Sequence, residues 1–163
     1  MKRNRFLYYT FLVIFLASCS NTKYLADGEL LYVGPKVKVE GKDINRKQRK
    51  ALKKEFTEMV RPKPNKKVLG LRPKLYFYHL AGEPKKDKGF RYWLRYKVGE
   101  APVLFSKVDL EFNKKVLQSY AENKGYFNTQ VSADSTRKGK KATADFVIKP
   151  QVRYKIRQVI FPG

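Results

Sequence analysis

Hydrophobic and polar positions follow two rhythms along this chain, and each change of rhythm marks an element. Over Tyr32–Glu40, Val37 and Val39 alternate with Lys36 and Lys38, the period of a half-buried strand, and Gly41 ends the run. Ile44, Gln48, Leu52, Phe56 and Val60 then recur every four residues, which predicts a helix over roughly 44–60 capped by Asp43 or Asn45. Lys and Arg fill its other face. Arg61-Pro62-Lys63-Pro64-Asn65 stops the helix, because proline has no N–H to donate and crowds the preceding turn. Leu75-Tyr76-Phe77-Tyr78-His79-Leu80 is too short to assign by period. Gly82 to Gly89 reads as a charged loop, and the spacing of Phe90, Trp93, Leu94 and Val98 predicts a short helix before Gly99.

From residue 100 the pattern is regular. Ser106-Lys107-Val108-Asp109 fits a capping box, with Phe105 and Leu110 as its hydrophobic staple. Val108, Phe112, Val116 and Tyr120 recur every four residues, with Leu117 and Ala121 widening the stripe. They predict a helix from Lys107 to Lys124 that ends at a left-handed Gly125. Phe127, Thr129, Val131 and Ala133 then alternate with polar neighbours. After the turn-like Arg137-Lys138-Gly139-Lys140, Ala142, Ala144, Phe146 and Ile148 do the same, which predicts a hairpin covered by the helix. The expected fold class is α+β.

The N-terminus follows another grammar. Lys2, Arg3 and Arg5 precede an apolar run from Phe6 to Ala17, closed by Leu16-Ala17-Ser18-Cys19. A secretory signal has this order of parts, and the run is short for a bilayer span. The four closing residues resemble the lipobox of bacterial lipoproteins, in which the cysteine is acylated and becomes the first mature residue. The resemblance implies a signal peptide over 1–18, lipidation of Cys19 and a tether over 19–31. An uncleaved anchor or a buried thiol is the competing reading. No second cysteine exists, so no disulfide closes the fold.

Formal charge is +23 and uneven: residues 19–41 are neutral, 42–98 carry 19 basic and 5 acidic groups, and 99–163 carry 12 and 6. Behind an export signal nucleic acid is absent. Anionic lipid head groups are then the counter-charge for the basic 42–98 segment, the alternative being a solvated face with no partner. Candidate chemistry is sparse. His79 is the one histidine and reads as structural, Asp109 with Glu111 as helix-start residues, and Asp134 with Asp145 as solvated strand or turn positions. With no glycine-rich phosphate loop and no paired carboxylates in an apolar setting, the expectation is a non-enzyme without cofactor or metal.

The run Tyr120-Ala121-Glu122-Asn123-Lys124-Gly125-Tyr126-Phe127, the hairpin, and Tyr154-Lys155-Ile156-Arg157-Gln158-Val159-Ile160-Phe161-Pro162-Gly163 together resemble a POTRA domain. These polypeptide-transport-associated modules stand in tandem in the periplasmic arm of the BamA/TamA outer-membrane assembly family. Gly125, Tyr126, Phe127, Tyr154, Ile156, Phe161 and Gly163 carry the signature. The stretch from Arg61 to Leu80, with Trp93-Leu94 and Gly99 to Leu104, is similar to lipid-anchored TamA-like proteins of the Bacteroidetes.

The resemblance implies two POTRA-like modules, 32–99 with a basic linking segment and 100–163, lipid-anchored on the periplasmic face of the outer membrane. It also implies assembly or translocation of outer-membrane proteins. A strand edge would take up unfolded clients or partner subunits by β-augmentation, and Tyr154 to Phe161 is the expected edge. No barrel is encoded, and a third module would start near Gly163, so the expectation is a truncated form. The alternative function is a basic envelope lipoprotein that binds anionic lipid or polysaccharide.

Overall fold

A computed structural model describes residues 21–41, 44–154, 157–159 and 161. Its elements are β1 (Leu31–Val39), α1 (Arg46–Met59), α2 (Pro73–Ala81), α3 (Phe90–Trp93) running into a π-helical turn (Leu94–Val98), a 3-10 turn (Phe105–Lys107), α4 (Leu110–Asn123), β2 (Gln130–Lys138) and β3 (Lys141–Lys149). The chain is α+β with a three-stranded mixed sheet, order β1-β3-β2, in which β1 runs parallel and β2 antiparallel to β3.

This pairing revises the expected organisation. The first strand and the C-terminal hairpin lie in one sheet, so 32–99 and 100–163 are not separate modules. One unit comprises Glu29–Pro64 and Val103–Gly163. The other comprises Asn65–Pro102 with the described residues up to Gly28. The expected tether is structured in part: Leu25 is buried, and Leu31 already belongs to β1.

In the sheet unit, register puts like with like. Val37 lies beside Phe146 and Val39 beside Ile148, while Val131 and Ala133 flank the same two residues from β2. The buried series Ala142, Ala144, Phe146 and Ile148 is the predicted alternation of β3. Leu52 and Phe56 of α1 and Leu117 and Ala121 of α4 join it in one core. Each such large side chain contributes about 1.5–3 kcal/mol by leaving water.

Asn45 caps α1: its side chain accepts from the Gln48 N–H at 2.8 Å, and the Gln48 side chain accepts from the Asn45 N–H at 3.2 Å. Asp43, the other candidate cap, lies outside the described residues. Helix α4 starts later than the pattern suggested. Ser106 sits in the 3-10 turn, and Asp109 is the cap, accepting from the Phe112 N–H at 2.8 Å. The buried face is Asn113, Leu117 and Ala121, and Phe112 is exposed. The face is turned because buried Asn113 has a polar task. It accepts from the Arg61 N–H at 2.7 Å and donates to the Arg61 and Asp109 carbonyls at 2.6 and 2.7 Å. Strand β2 likewise starts at Gln130, leaving Phe127 exposed before it.

The second unit packs α2 against the π-helical turn. The Arg95 guanidinium lies 4.0 Å above the Tyr78 ring and donates to the Gly82 carbonyl and the Tyr78 hydroxyl at 2.6 and 2.9 Å. The untyped run 75–80 is therefore helix, and the short helix predicted before Gly99 is present.

Candidate functional site

The sheet has two edges, and the fold treats them differently. Along β1, the Tyr32 N–H donates to the Val103 carbonyl and the Phe105 N–H to the Leu30 carbonyl, both at 2.8 Å, so its first half is covered. Pro35 has no N–H, and the register shifts between Tyr32 and Pro35. Prolines and irregularities of this kind blunt an edge against pairing.

Among the described residues strand β2 pairs only with β3, and its nine residues span roughly 30 Å. The hairpin turns on Gly139 and Lys140, with Lys138 opposite Lys141. A two-residue turn closes on a hydrogen-bonded pair, so the even-numbered residues of β2 bond to β3. The N–H and C=O groups of Val131, Ala133, Ser135 and Arg137 then point outward. Among the described residues one of these donors has a partner: the Ser135 N–H bonds Asp134 Oδ1 at 2.7 Å. Among the described residues no other strand lies against this edge. Its side chains from Asp134 to Lys138 are all exposed.

The solvent face of the sheet is a polar belt. Asp145 accepts from the hydroxyls of Thr143, at 2.9 Å, and Thr136, and Lys36 Nζ lies 3.9 Å away. Asp134 stands opposite Asp145 in the register, so these two residues occupy solvated strand positions. Asp109 caps α4, and Glu111 in its first turn pairs with Lys114 at 3.3 Å.

A basic groove of about 830 Å³ opens between Val37–Gly41, Arg49 and Lys53 of α1, and Lys149–Gln151. Its cations are partly engaged. Lys38 pairs with Glu40 at 2.6 Å, and Arg49 donates to the Gly41 carbonyl at 3.1 Å. The hydrogen bond from Lys38, then its charge, holds the Glu40 carboxyl below its ordinary value, and Lys149 adds to the effect.

The signature residues divide. Gly125 has φ 87 and closes α4: its N–H bonds the Glu122 carbonyl at 2.8 Å while the Tyr126 N–H bonds the Ala121 carbonyl at 3.0 Å. The same glycine receives the returning chain, since the Tyr154 N–H donates to its carbonyl at 2.9 Å. Tyr126 is buried, and Phe127 meets the Tyr154 ring edge-on at 5.6 Å. Gly125, Tyr126, Phe127 and Tyr154 thus form one joint. Phe161 is exposed. Ile156 and Gly163 lie outside the described residues, as do Leu16, Ala17, Ser18 and Cys19. The described residues of Tyr154–Phe161 form no strand, and β2 is a border strand of the sheet among the described residues. His79 stacks on Tyr24 at 4.9 Å and meets Tyr78 edge-on at 5.6 Å, a packing role.

Pattern reading missed the β2 edge and the Asn113–Arg61 tie. A polar Asn113 in line with Leu117 and Ala121 was the available signal for the second. Comparison with family models, curated proteins and solved structures returned no match.

Proposed function

We propose that this chain is a non-catalytic, POTRA-like module for outer-membrane protein assembly or translocation, lipid-anchored through Cys19 on the periplasmic face of the outer membrane. It acts by adding an extended segment of an unfolded client, or of a partner subunit, to its sheet. The observation that carries this reading is the outer edge of β2, exposed and paired on one side only. The order strand, helix, helix, hairpin around one sheet, with Gly125-Tyr126-Phe127 at the helix exit, supports it.

Main-chain hydrogen bonds at about 0.5–1.5 kcal/mol each make such binding weak and tolerant of sequence. The Asp134–Ser135 bond restrains self-pairing until a client displaces it. Titration with extended peptides from outer-membrane β-strands, followed by amide NMR, should shift Gln130–Lys138. Ser135→Pro, which removes an outward N–H and sets a proline ring on the edge, should weaken those shifts with the circular dichroism unchanged. Tight, salt-sensitive binding to polyanions with no shift along β2 would transfer the function to the alternative, a basic envelope lipoprotein.

A further inference from the structure

The unit of residues 65–102 puts large apolar side chains into solvent among cations. Val68 and Leu71 bond each other's backbones at 2.9 and 3.0 Å across the turn Leu69-Gly70, whose φ values are 50 and 82. Both turn residues are left-handed, a conformation that suits Asn or Gly at the first position and strains leucine. Leu69 is nevertheless there, and it is 98% exposed. Packing among the described residues supplies no reason for it. Nearby in sequence, Tyr76 and Leu80 of α2 are exposed at i and i+4, and Phe90, 72% exposed, stacks on Trp93 at 6.0 Å. Residues 21–28 and 65–102 hold 11 Lys/Arg against 4 Asp/Glu. Exposed Leu, Trp and Tyr interleaved with Lys and Arg are the chemistry of membrane-interface contact.

Two observations select a bilayer as the occupant. The first is chain length. The Asn21 side-chain amide donates to the Arg72 carbonyl at 3.5 Å, which ties the start of this unit to the residue that follows the turn. Asn21 stands two residues after Cys19 and four after Ala17, roughly 7–14 Å of extended chain. Either an acylated Cys19 or a retained Phe6–Ala17 run therefore holds this unit at a membrane. The second is charge, because a surface of this sign is drawn to anionic head groups.

We propose that the Val68–Leu71 turn inserts into an anionic lipid bilayer, with Leu69 at its tip in the acyl boundary and the surrounding lysines on head-group phosphates. This rests on the membrane attachment in the proposed function and is independent of the β2 edge. The lipid anchor holds the chain, and the turn fixes how the 65–102 unit faces the membrane.

The test uses the chain from residue 20 onward, which keeps every described residue and has no cysteine. Leu69→Cys, labelled with an environment-sensitive fluorophore, is mixed with vesicles of phosphatidylglycerol or of phosphatidylcholine alone, and Ser135→Cys is the control. The label at 69 should shift to the blue and be quenched by brominated lipid on the anionic vesicles only, while the label at 135 stays in water. In flotation of unlabelled protein, Leu69→Asp should weaken partition by about tenfold or more, the loss expected when one buried leucine is removed. Failure of the chain to float, a label at 69 that stays in water, or equal flotation of Leu69→Asp would each overturn the proposal. An unmodified N-terminus by mass spectrometry would instead overturn the lipid anchor, and an unshifted β2 edge would overturn the assembly role.

Discussion

In the sheet unit Phe56, Leu117, Phe146 and Ile148 are fully buried, whereas the 65–102 unit buries Leu75 and Ala81 and leaves Leu69, Leu80, Phe90 and Trp93 in solvent. Closure differs accordingly. The sheet unit is held by two helices whose apolar stripes cover one face of three strands. The smaller unit leans on polar and cation–ring contacts: Arg95 on Tyr78 and Gly82, the Asn65 amide on the Ala101 carbonyl at 2.8 Å, and the Glu100 N–H on the Lys74 carbonyl at 3.1 Å. A unit closed this way needs few of its apolar side chains inside, so the rest can face a partner. The contrast also separates the two proposals, since the strand edge belongs to the apolar unit and the lipid-facing turn to the polar one.

The largest test of the contrast removes an apolar anchor from the sheet unit. Phe146→Ala should cost about 3–5 kcal/mol in urea denaturation, because the ring lies between both neighbouring strands and beneath the helices. Leu80→Ser, in the other unit, should cost next to nothing. Similar costs for the two would erase the distinction. Next comes Asn113→Leu, which keeps volume but strips the Arg61 N–H and C=O of their partners. Two half-buried backbone groups stripped of their side-chain partner predict a loss of about 1–2 kcal/mol. A neutral result would mean that water satisfies Arg61 and that the tie contributes little.

Local grammar was legible wherever the side-chain period matched a solvated and a buried face. The α1 cap at Asn45, the α4 exit at Gly125 and the inward series of β3 could all be read from residues 44–60 and 120–148. What escaped was non-local. The parallel pairing of β1 with β3 joins residues more than a hundred positions apart, and no period in either strand records its partner. The α4 face was misjudged because Phe112, an obvious core residue by type, is exposed, while Asn113 is buried by backbone groups of a distant segment. The β2 edge was legible only in part. Its polar residues are visible in sequence, but its position at the border of the sheet depends on where β1 lies.

A comparable effect belongs to Gly99. A Cβ on this residue would lie 2.6 Å from the Arg95 carbonyl oxygen and 2.8 Å from Tyr78 Cα, both backbone atoms with little room to yield. Gly99→Ala should therefore cost about 1–3 kcal/mol by overpacking the contact between α2 and the π-helical turn. Hydrogen exchange at the α2 amides is the readout. Unchanged protection there would show that this backbone approach does not hold the unit together.

The smallest effect is one of pH, and it too separates the units. Burial, then the charge of Arg95, lowers the His79 pKa below the ordinary histidine value. Among the described residues its Nε2 is buried with no hydrogen-bond partner, while its ring stacks on Tyr24, meets Tyr78 edge-on and feels the Arg95 cation. A proton there would add a second positive charge beside a guanidinium. The unfolded chain binds that proton more readily than the folded one, so His79 contributes stability in full above about pH 6.5. The contribution is lost as pH falls through the folded value. Melting followed by the emission of Trp93, the only tryptophan, should move to lower temperature between pH 7 and 5. His79→Phe should flatten that slope while leaving the pH 7 midpoint nearly unchanged. An equal slope in the variant would assign the acid sensitivity to other groups and leave His79 as ring packing alone.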